Sequence, residues 1–121
     1  MVKKENFDAA IVLVKKYLAQ YGAHAGNQPN PLLYEKIEEE LYRLKKKFSI
    51  MEQLALQQYP LLDRSNRKGM LILPSAKTEN IVIEIQRGEF DRMSVTDAMK
   101  KINEELRNVI VALAEFGEKM R

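Results

Sequence analysis

The sequence predicts an α+β domain, mostly helical, in the order α-α-β-β-α: two long helices, a central β-hairpin and a long C-terminal helix. Three observations carry that prediction. Apolar residues recur at alternating spacings of three and four in three separate segments, the pattern of helices packed side-on. Between the second and third segments the apolar period drops to two and β-branched residues dominate, as in a strand. Gly, Asn and Pro cluster between the segments, where the chain must turn. With 121 residues, 45% of them apolar, residues 1–121 form one domain that can bury a core without disulfides or a structural metal.

The first helix has the seam Phe7, Ile11, Val14, Leu18 and Tyr21; it opens near Asn6 and closes at Gly22, read as a left-handed cap. The second opens on Asn30-Pro31, a side-chain cap followed by a proline whose missing N–H has no helical partner to lose. Its seam runs through Tyr34, Ile37, Leu41, Leu44, Phe48, Met51 and Ala55, and Pro60 ends it; Ser49 marks an alternative restart. Glu38–Glu40 precede Arg43 and Lys45–Lys47, the charge order that the helix dipole favours. The last helix opens on Ser94, with Asp97 three residues on and Met93 set to staple against Ala98. Its seam is Met99, Ile102, Leu106, Val109, Leu113, Phe116 and Met120. Between them, Gly69–Leu73 and Asn80–Gln86 read as the two strands of the hairpin, joined by the polar stretch Pro74–Glu79. Ile81, Ile83 and Ile85 share one face of the second strand. A helix over residues 78–88, and with it an all-α bundle, is the alternative.

Composition excludes much. With no Cys and one His, thiol chemistry, disulfide frameworks, zinc fingers and His-based triads lack their residues. No glycine-rich phosphate loop, zinc-protease helix or calcium loop is present. No apolar run approaches the roughly 20 residues of a membrane span, so the expectation is a cytoplasmic protein with no membrane partner. It is also expected to be no enzyme, with no catalytic residue, metal or cofactor. His24 lies in a Gly/Asn/Pro loop and reads as solvated. Glu84, Glu89 and Asp91 could meet Glu104 or Glu105 around a hard cation, but a solvated acidic rim explains them as well.

The net charge of +3 is spread almost evenly over both halves of the chain, unlike the concentrated patch of a duplex binder. Lys45-Lys46-Lys47 fans around a helix and reads as a solvated face. Of the five tyrosines, Tyr42 and Tyr59 are the ones nominated for the surface. The most site-like stretch is Asp63–Gly69. Arg64, Ser65, Asn66, Arg67 and Lys68, joined by Lys77 and Arg87 from the hairpin, are the candidate ligand-binding residues, with free backbone N–H groups expected to turn towards an anion. The plain alternative is a solvated turn in which Asp63 pairs with Arg67. The expected function is a non-catalytic binding module that recognises a nucleotide or nucleic acid through this basic loop. A helical protein–protein adaptor is the alternative; it uses the exposed apolar part of the second helix around Leu54 and Leu56 and binds independently of salt. Helices of about 40 Å overrun a globule with a radius of gyration near 14 Å, and a lone hairpin is marginal in water. Both point to a homo-oligomer, with an ordinary monomeric bundle whose wide stripes are its core as the alternative. The layout resembles a winged-helix DNA binder, but Ile50–Tyr59, where a recognition helix would lie, carries no Arg or Lys, so the resemblance is not adopted.

Overall fold

The structure, a computed structural model, describes residues 1–120. Among the described residues the chain forms five helices and no strand: α1 (Lys4–Gly22), α2 (Pro31–Gln58), α3 (Pro60–Arg67), α4 (Pro74–Gln86) and α5 (Val95–Glu118). The all-α alternative is correct and the β-hairpin is not. The four longer helices alternate in direction. Lys4 meets Glu118 while Leu18 meets Asn103 across α1 and α5, and Glu52 meets the start of α4 while Tyr34 meets Phe90 just beyond its end. Backbones approach closely along α1·α5, α5·α4 and α4·α2. The fourth edge, α1·α2, is bridged by side chains alone. The core lies inside this ring: Phe7 stacks on Phe116 at 4.9 Å between centroids, and Phe48, Ile37, Leu41, Ile81, Ile102 and Leu106 are sealed from solvent.

The segment read as the second strand is the middle of α4. Its Ile81, Ile83 and Ile85 fit a period of two, but the buried set is Pro74, Ser75, Thr78, Ile81, Val82 and Ile85, which is one face of a helix. β-Branched residues sacrifice only a few tenths of a kcal/mol each in helix propensity. Burying Ile81, Val82 and Ile85 against α2 and α5 returns roughly 1.5–3 kcal/mol apiece, so packing decides the outcome. The stretch before it does alternate: Leu71 and Leu73 pack on the core while Met70 and Ile72 face out. It is extended chain without a strand partner.

What starts α4 comes from another helix. Its N-cap position is Leu73, which has no side-chain acceptor. Glu52, 1% exposed near the C-terminal end of α2, supplies one: its carboxylate accepts the Ser75 N–H at 2.7 Å and the Ser75 hydroxyl at 2.5 Å. The helix dipole favours an anion there. Burial raises the Glu52 carboxyl above the usual carboxylate range, and the two Ser75 hydrogen bonds partly offset this.

Other ends follow local chemistry. Asn30 Oδ1 accepts Leu33 N–H at 3.2 Å, and Ser94 Oγ accepts Asp97 N–H at 3.1 Å, as expected. α2 runs unbroken through Ser49. Tyr59, forced to extended backbone (φ −123°, ψ 96°) by the proline after it, ends α2, and Pro60 opens α3, an element the sequence analysis did not contain. Buried Leu62 anchors α3 on α2, so α2's last turns are covered within the chain. The α1 terminus differs from expectation: Gly22 is helical, and Gly26, Gly69 and Gly88 are the glycines with positive φ.

Glu52→Ala is expected to lower the unfolding free energy by about 3 kcal/mol, because it removes an acceptor of two hydrogen bonds and orphans a buried N–H. Ser75→Ala should lose about 1 kcal/mol, and Glu52→Gln, whose amide oxygen still accepts the Ser75 N–H, less than Glu52→Ala. Urea unfolding of the three variants checks the order.

Candidate functional site

The basic stretch is a helix C-terminus. Arg64, Ser65, Asn66 and Arg67 form the last turn of α3 and Lys68 is its C-cap. Gly69, at φ +70°, takes the left-handed position. Gly69 N–H donates to Asn66 C=O and Met70 N–H to Ser65 C=O, with Lys68 N–H on Arg64 C=O, the paired closure of a Schellman turn. The backbone donors expected to face an anion are therefore used internally. Cations followed by Gly are what the negative end of a helix dipole attracts. Asp63 Oδ2 holds Arg67 Nε at 2.9 Å, the solvated pairing that the sequence offered as the plain alternative. Asn66 and Arg67 do line an open depression with Gln53 and Gln57, but Asp63 stands in it too. Lys77 and Arg87 are not hairpin residues. They sit at opposite ends of α4, about 15 Å apart along its axis, while the α3 backbone comes close to α2 and to no other helix among the described residues. The seven residues do not converge.

Other sequence candidates fall in place. His24 is exposed. Lys45 and Lys46 lie over the Tyr42 ring at 5.6 and 4.7 Å, so part of the lysine run is tied to its own helix. Tyr42 is exposed and Tyr59 half-buried. Of the carboxylates, Glu84 and Glu105 come together between α4 and α5, and one oxygen of each is buried with no partner from other side chains or the backbone. No group of three or more ligating side chains able to hold a metal occurs among the described residues.

The feature the sequence analysis missed is the open α1·α2 edge. Three depressions string along it: about 370 Å³ between Met1, Ala9, Lys47, Met51 and Leu54; about 110 Å³ between Leu13, Lys16, Tyr17 and Glu40; and about 340 Å³ between Gln20, Leu33, Lys36 and Ile37. Together they follow the length of α1, about 28 Å. The floor is apolar at the end lined by Met1, Met51 and Leu54 and mixed or polar further along; on α2, Leu54 is 41% exposed and Ile50, one turn before it, 63%. Lys16, Lys36 and Lys47 line the groove and make no ion pair among the described residues. The acid in the groove, Glu40, accepts a hydrogen bond from the Tyr21 hydroxyl at 3.2 Å; burial and Glu40 hold that phenol's pKa well above its ordinary value, so it remains a donor. The signal was legible as Lys16, Lys36 and Lys47 beside Leu13 and Leu54 on faces turned towards one another, but only once the two helices are known to be antiparallel neighbours. Leu56, the other apolar candidate on α2, faces the α3 side instead.

The carboxylate pair generates a pH dependence. Burial first, and then the Glu84 carboxyl beside it, push Glu105 up to about 8, against the opposing pull of Lys101. An acid whose folded pKa exceeds its unfolded value stabilises the fold while protonated. Its contribution is full below about pH 4.5 and is lost as pH rises towards about 8. Glu105→Gln is therefore expected to match the parent near pH 5 and to melt at a higher temperature than it at pH 9, in paired thermal melts.

Neither a family model, nor a curated protein, nor a solved structure matches the chain.

Proposed function

We propose that this chain is a non-catalytic adaptor that holds an acidic, amphipathic helical segment of another protein in the groove between α1 and α2. The observation that carries this reading is an apolar depression at one end of the groove, lined by Met1, Met51 and Leu54, with lysines along the groove that have no acidic partner of their own among the described residues. A helix lays its apolar face into such a groove and its flanking charges answer the rim. A partner of about 19 residues spans the 28 Å of α1. This reading takes the place of anion recognition by Arg64, Arg67 and Lys68, whose backbone donors are used within α3. It keeps Leu54 from the sequence-based adaptor, drops Leu56, and replaces salt-independent binding with salt-sensitive binding.

The test uses two fluorescent helical peptides with the same leucine face, one flanked by Glu and one by Lys. The Glu-flanked peptide is expected to bind at least about tenfold more tightly, and to lose about tenfold on Leu54→Glu or on Lys16→Glu with Lys47→Glu. Equal binding of both peptides, or indifference to the groove variants, overturns the proposal. So does a sedimentation mass of two chains that Leu54→Glu returns to one, because the groove's occupant is then a second copy.

A further inference from the structure

A pocket of about 320 Å³ with a mixed polar and apolar lining lies between the α1–α2 connection and the first half of α5. Its walls are tied together. Gly26 N–H donates to Thr96 Oγ1 at 3.0 Å, and Thr96 N–H donates back to Gly26 C=O at 3.2 Å. Asn103 Nδ2 reaches across to Leu18 C=O at 3.1 Å. These bonds place the loop before any ligand arrives, which lowers the ordering cost of binding. Lys100 and Arg107 are two turns apart on one face of α5 and both line the pocket, as does His24 from the loop. Neither cation makes an ion pair among the described residues.

The acceptors are equally specific. Glu104 stands between the two cations on the same helical face. Asn103 is 8% exposed, and with its amide nitrogen engaged, its Oδ1 is buried with no donor from the protein. A buried acceptor left unpaired is uncommon and asks for an explanation. Two cations call for a dianion, and an Arg fork suits a phosphate. The two acceptors call for an N–H or O–H on the same small molecule.

We propose that this pocket binds a small organic phosphate that carries an amine or hydroxyl donor, with the phosphate held by Lys100 and Arg107 and the donor accepted by Glu104 and Asn103 Oδ1. The site is separate from the basic residues of α3 and does not depend on the α1·α2 groove being occupied.

Titration of the ¹⁵N-labelled protein with O-phosphoethanolamine, inorganic phosphate and ethanolamine tests it. O-Phosphoethanolamine is expected to give saturable amide shifts at Ala25, Thr96 and Asn103 at about 1 mM, more tightly than inorganic phosphate, while ethanolamine does not saturate. Arg107→Ala should weaken binding about tenfold. Glu104→Gln should narrow the gap between O-phosphoethanolamine and inorganic phosphate. All three side chains are exposed or at the pocket's rim, and Lys100→Ala with Arg107→Ala leaves the core untouched. Shifts that do not saturate, or that persist unchanged in this double variant, overturn the site; equal affinity for O-phosphoethanolamine and inorganic phosphate overturns the role given to the acceptors.

Discussion

The Glu52 carboxylate sets the geometry of this bundle. It sits in the interior without a cation, and it is stable there because Ser75 offers it a backbone N–H and a hydroxyl at the positive end of α4. That contact marks where α4 begins and lies on the face of α4 that packs along α2, leaving another face for α5. Once α4 fills the space between α2 and α5, the ring order is settled, and α1, held to α5 by the Phe7–Phe116 stack and by Asn103, closes against α2 through side chains only. The open edge is thus a consequence of how the other three edges are made.

The residues facing across that edge explain why it does not close. α1 presents Asn6, Ala9, Lys16 and Gln20 to α2, and α2 answers with Lys36, Lys47 and Gln58. Small and polar side chains provide little apolar area to bury. The Tyr21–Glu40 hydrogen bond and the apolar groups beneath hold the edge at a distance that side chains can span. Elsewhere the same helices bury Phe7, Val14, Leu41 and Phe48 completely, so the difference lies in residue choice and not in helix length.

Much of this was legible in the sequence. The seams of the first, second and last helices are buried nearly as read, and the Asn30 and Ser94 caps form, because heptad spacing and capping are local chemistry that tertiary contacts only reinforce. The hairpin failed for a physical reason: Thr78, Ile81, Val82 and Ile85 satisfy a helical period while Ile81, Ile83 and Ile85 satisfy a strand period, and what decides between them, packing against α2 and α5 with Glu52 at the helix start, lies on other elements. The basic stretch failed because Arg64, Arg67, Lys68 and Gly69 carry two meanings, an anion site or the positive end-complement of a short helix; with Pro60 read only as a terminator, the helix needed for the second meaning was absent. The groove and the α5 pocket were beyond reach, since each is made by residues from elements whose adjacency no local pattern states.

Exposed apolar residues separate into two kinds. Leu32, Leu61, Met70, Ile72 and Val111 are distributed over four different parts of the chain, and single apolar side chains on a surface are ordinary. Ile50 and Leu54 differ because they lie one turn apart at the mouth of a depression that Met1, Ala9 and Met51 already line. Apolar surface that is both concave and continuous gains more from being covered than the same area spread singly, because an entering side chain finds dispersion partners on several sides. On the proposed reading, Lys47 beside it and Lys16 and Lys36 further along disfavour a basic segment before contact and draw an acidic one, which would put selectivity in the rim and most of the affinity in this apolar end.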